Sequence, residues 1–87
     1  MKDWRTDNAK ALRGLTLELQ RWVQRSERWD HDHCSACMAK FGNAADDFKE
    51  GYATRADFPK GARYEWACVK CFGELKEEMG WSAVPLS

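Results

Sequence analysis

All four cysteines of the 87-residue chain fall into two Cys-x-x-Cys pairs, Cys34/Cys37 and Cys68/Cys71, with thirty residues between them. Two intervening residues let both sulfurs of a pair turn toward one point, and two such pairs can close a tetrahedron around Zn²⁺. A centre of that kind ties the middle of the chain to its last third. It admits only folds that bring residues 34–37 against residues 68–71. A chain of this length is one small domain with a modest core. A structural metal adds stability where buried area runs short. The five tryptophans help as well, since each carries a large apolar surface.

No apolar run is long enough to span a bilayer, so no membrane contact is expected. The first residues, Met1-Lys2-Asp3-Trp4-Arg5, are polar and lack the apolar core of a signal peptide. The expected compartment is therefore the cytoplasm, where thiols stay reduced and metal is favoured over disulfide. Fourteen basic residues balance fourteen acidic ones. A protein specialised for gripping phosphate backbones is usually more basic.

The spacing of Leu12, Leu15, Leu19 and Trp22 predicts a long helix from about Asn8 to Glu27, capped by Thr6 or Asp7. Residues 29–37 read as the approach to a metal knuckle. Residues 44–50 fit a helical turn or a loop, with Phe48 packing inward. Gly51–Arg55 and Ala62–Ala67 read as two strands around the turn residues Asp57–Gly61. Alternation in the second strand places Tyr64, Trp66 and Cys68 on one face. Phe72, Leu75 and Met79 then follow helical spacing, with Gly80 as the stop and Trp81 folding back on the core. Val84–Ser87 is expected to fray. The fold class is α+β.

This order of knuckle, β-hairpin and C-terminal helix resembles a treble-clef zinc finger over residues 30–81. Residues 1–29 would then be a helical extension packed on that unit, and residues 82–87 a tail. The resemblance implies that Cys34, Cys37, Cys68 and Cys71 hold one structural Zn²⁺, with the second pair in the first turn of the helix. Some nucleases are built on a treble clef, but their catalytic histidines follow the knuckle, and this chain has no histidine after His33. Rubredoxins also use two such pairs, but with glycine after the second cysteine of each knuckle. Met38 and Phe72 occupy those positions here, which favours zinc over iron. The strings Trp29–Cys37, Glu50–Tyr52 and Trp66–Phe72, with Trp81, also resemble a family of small bacterial zinc-binding proteins of unassigned function.

His31 and His33 are expected to point to opposite sides of an extended strand. Each is read as hydrogen-bonded locally, with one also donating to a cysteine sulfur; the alternatives are His31 or His33 as a ligand in place of a cysteine, or a second metal or proton-transfer role with Asp30 and Asp32. Arg21, Arg25 and Arg28 would form a basic stripe on the first helix, which is either a solvated face or a partner surface. Trp22, Trp66, Phe72 and Trp81 are the expected core aromatics, and Trp4 and Phe58 the expected exposed anchors. Four thiolates would leave zinc no open position, so no catalytic constellation is read. The expected function is a non-catalytic zinc-binding protein acting as a protein-interaction module of accessory, inhibitor or immunity type. The alternative is a nucleic-acid-binding finger using the basic face of the first helix.

Overall fold

A computed structural model describes residues 3–84. The chain enters through a short helix, α1 (Trp4–Asn8), whose N-terminus is capped by Asp3. The Asp3 carboxylate accepts from the Arg5 backbone N–H at 3.0 Å. A 3₁₀ turn over Lys10–Leu12 follows, and Gly14, at φ 78°, swings the backbone out of the helical path. A side chain at that φ would be strained, which is why glycine stands there.

The expected helix over residues 8–27 does not form. Its middle is a strand, β1 (Thr16–Arg21). Leu17 and Leu19 alternate along this strand, and Leu17 is fully buried. Over six residues a helical and an extended apolar pattern overlap, and pairing on both sides decides between them. Strand β1 runs antiparallel to β4 (Glu50–Ala53) and parallel to β6 (Ser82–Val84). Strand β5 (Trp66–Cys68) closes the other side, giving the order β5-β4-β1-β6. Residues 82–84, expected in a fraying tail, therefore make an edge strand. Residues 85–87 lie outside the described residues. Because β1 sits between two other strands, the first segment is part of the sheet and not an extension laid upon it.

A second, two-stranded ladder, β2 (Asp32–His33) with β3 (Lys40–Phe41), brackets the first cysteine pair. The expected hairpin is present as β4 and β5, with shorter strands than expected. Arg63 takes a positive φ of 57°, which breaks the alternation through Tyr64. The long β4–β5 loop is organised by buried Thr54. Its hydroxyl accepts from the Tyr64 and Glu65 backbone N–H groups and donates to the Gly61 carbonyl.

After Cys68 comes α2 (Val69–Met79), which Gly80 ends in the left-handed conformation as expected. The helix packs on β4 and β5. Phe72 stacks on Tyr52 at 3.7 Å between ring centroids and on Trp81 at 5.6 Å. The Trp81 indole donates to the Leu12 carbonyl at 2.8 Å, joining the end of α2 to the start of the chain. Trp22, Trp66, Phe72 and Trp81 are all buried, as expected. Phe58 is not an exposed anchor: it is half-buried, packs against the core and lies 6.5 Å from the Tyr64 ring. Phe48 turns only its edge inward, onto Phe41, and stays 41% exposed.

Candidate metal centre

The first cysteine pair sits in a tight turn between β2 and β3. The Cys34 N–H donates to the Ala39 carbonyl at 2.7 Å, and the Met38 N–H donates back to the Cys34 carbonyl at 2.9 Å. Met38 completes the turn at φ 69°. Methionine thus makes a left-handed turn where glycine would be unstrained, at a cost of roughly 1–2 kcal/mol. The second pair straddles the start of α2. Cys68 is its N-cap, and the Cys68 sulfur accepts from the Cys71 N–H at 3.4 Å. A backbone bond from Ser35 N–H to the Trp66 carbonyl, at 2.7 Å, holds the two pairs face to face.

The result is a cluster whose four sulfurs all lie within 4.8 Å of one another. Cys34, Cys68 and Cys71 are buried, Cys37 is half-buried, and none is in a disulfide. A regular tetrahedron with metal–sulfur bonds of ~2.3 Å has edges of about 3.8 Å. The Cys37 and Cys68 sulfurs are 3.8 Å apart. Bridged sulfurs would lie at about 2.05 Å. The residues therefore fit a four-sulfur metal site.

Hydrogen bonding prepares the sulfurs to carry negative charge. The Cys34 sulfur accepts from the Cys37 and Cys68 backbone N–H groups at 3.5 and 3.3 Å. The Arg5 guanidinium reaches the Cys71 sulfur at 3.6 Å. The N-terminal end of α2 adds its positive dipole end. Against this, burial and the neighbouring sulfurs push the Cys68 thiol up to about 11 and raise Cys71 as well. At Cys37, burial acts upward too. The Ala39 backbone and the other three sulfurs outweigh it and hold that thiol below its ordinary value. Buried thiols pressed together without a counter-charge resist ionisation, and a divalent cation removes that conflict.

The two histidines stand apart from this cluster. They do not point to opposite sides: their ring centroids are 5.0 Å apart with planes at 88°. Residues two apart on extended chain share a face, the reverse of the expectation. The His31 Nδ1 is bonded to Asp30 at 2.8 Å. Among the described residues, no hydrogen bond links either ring to a cysteine sulfur, so the expected histidine support of the sulfurs is not found. Arg5, which the sequence did not mark, fills that role. It is anchored by Asp3 at 2.7 Å and Glu74 at 2.7 Å.

The arginine stripe loses its helix. Arg21 ends β1, and Arg25 and Arg28 lie in the following loop, with Arg25 over the Trp29 ring at 4.6 Å. Trp4 is 60% exposed, as expected. It lines an open cleft of about 670 Å³ together with Phe48, Lys70 and three of the cysteines, Cys37, Cys68 and Cys71. No helix among the described residues is long and apolar enough to cross a membrane. No family model, curated protein or solved structure matches this chain.

Proposed function

We propose that this chain is a zinc-stabilised protein-interaction module. One observation carries the metal part: four unbridged sulfurs gather within 4.8 Å of one another, with Cys37 and Cys68 at the tetrahedral edge length. Zinc is the ion that best suits four thiolates in a closed tetrahedron. The centre joins a knuckle, a hairpin strand and the first turn of a helix, which supports a treble-clef-like reading of residues 30–81. Its role is structural and not catalytic, since four sulfurs leave no position for water or substrate. The unbridged thiols suit a reducing compartment such as the cytoplasm.

The interaction part rests on where the exposed apolar side chains gather. Trp4 and Phe48 line the cleft above the sulfurs, and Met38 and Val69 directly follow the ligands Cys37 and Cys68. These four are among the five large apolar residues that stay exposed among the described residues. Exposed aromatic and methionine side chains are the composition of a protein interface. Such a surface suits an accessory, inhibitor or immunity-type protein.

Elemental analysis of the purified chain tests the metal reading: one zinc per four-sulfur centre is expected, with the protein unfolding when a strong chelator removes it. Cys34→Ser and Cys71→Ser should each abolish the folded state, because apparent zinc free energies in small fingers reach roughly 10–16 kcal/mol. A chain that stays folded without metal, with four titratable thiols, overturns the reading.

A further inference from the structure

We propose that His31 and His33 form a second, solvent-facing metal site, which takes a borderline divalent cation such as Zn²⁺ between their two imidazoles. The site shares no ligand with the four-sulfur centre. The spacing of the two rings suits a chelating pair. A zinc–nitrogen bond of about 2.0–2.1 Å puts the ion roughly 3.2 Å from each ring centre. Two rings meeting at an angle between square and tetrahedral then have centres about 4.5–5.2 Å apart. The His31 and His33 ring centroids are 5.0 Å apart.

The surroundings hold this pair in place. Asp32, between the two histidines, is pinned by two indoles: Trp22 donates to it at 2.9 Å and Trp29 at 3.0 Å. With Asp32 on one side of the strand, both imidazoles lie on the other. Asp30 Oδ1 lies 2.8 Å from His31 Nδ1. A carboxylate on one ring nitrogen sets the tautomer and leaves Nε2 as the basic lone pair, the arrangement that metal-binding histidines usually have. Both rings are exposed, so water can complete the coordination sphere. Lys40 pairs with His33 across the ladder, but its ammonium leans toward Asp47 at 3.8 Å. Imidazole ligands suit zinc, nickel and copper, and exclude calcium and magnesium as natural occupants. Two protein ligands make this ion exchangeable where the sulfur-bound ion is not.

The test titrates the full chain with Zn²⁺ at micromolar concentrations, followed by native mass spectrometry and by the histidine ring-proton resonances. Wild type should bind one ion more than His31→Ala or His33→Ala, with both histidine resonances shifting together. Asp30→Asn should weaken that ion about tenfold. Calcium should move neither resonance. Equal zinc stoichiometry in wild type and both histidine variants, or histidine resonances indifferent to zinc, overturns the proposal. If the sulfurs prove metal-free, the histidine-dependent ion is still expected, so the two readings fail separately.

Discussion

The Arg5 guanidinium lies 3.6 Å from the Cys71 sulfur, and the same nitrogen bonds Glu74 at 2.7 Å. One side chain from the first helix thus reaches both a candidate ligand and the helix that carries it. Arg5→Ala should leave the sheet intact and weaken zinc retention by about 10–100-fold, the range for loss of a group that supports a metal ligand. Competition with a calibrated chelator measures it. Arg5→Lys should recover little, because a compact ammonium cannot span the positions from which the guanidinium nitrogens reach Asp3, Glu74 and the sulfur.

Zinc uptake should release protons. Burial sets the Cys68 thiol at about 11 and raises Cys71, and free thiols titrate near ~8.5, so both are protonated in the metal-free chain at neutral pH whether it is folded or not. Zinc binds thiolates, so uptake must expel those protons. Apparent affinity should therefore rise with pH and fall on acidification, about tenfold per pH unit for each proton released. Calorimetry in buffers of different ionisation enthalpy counts them, and fewer than two per ion would contradict protonated Cys68 and Cys71 thiols in the metal-free centre.

Met38→Gly should stabilise the folded chain. Met38 holds φ at 69° without the freedom of glycine, and its side chain is largely exposed, so little packing is lost. Relief of left-handed strain, set against the extra entropy of glycine in the unfolded chain, leaves a gain of about 0.5–1 kcal/mol. Denaturant titration at saturating zinc reads it.

Gly51→Ala should do the opposite. A Cβ at this position would lie 2.8 Å from both the Phe41 ring and the Ala67 carbonyl oxygen. The ring can shift only at the expense of Trp66, 5.2 Å away, and the carbonyl belongs to the paired strand β5. Overpacking of this kind costs about 1–3 kcal/mol. Thermal denaturation should show a lower midpoint with zinc content unchanged.

The part of the fold that is legible in the sequence is the part written in rare residues. Cysteine spacing marks the four sulfurs, and Gly80 with the Phe72, Leu75 and Met79 spacing marks α2. The first third reads wrongly because its apolar pattern fits two periods. Gly14 carries the one local signal against a continuous helix, and its cost alone is too small to decide. Pairing of β1 with β4 and β6 is a long-range fact that no window of sequence contains. The parts played by Arg5, Asp32 and Thr54 are hidden for the same reason. Each is an ordinary polar residue until its partners, tens of residues away in the cases of Cys71 and Glu74, are brought beside it.

The placement of β1 also bears on synthesis. Its neighbour β6 is roughly sixty residues downstream, so a ribosome must deliver that whole stretch before the strand can dock on its parallel edge. The knuckle and the second cysteine pair emerge earlier, so ion capture can precede closure of the sheet and give the late-arriving edge a surface already in place.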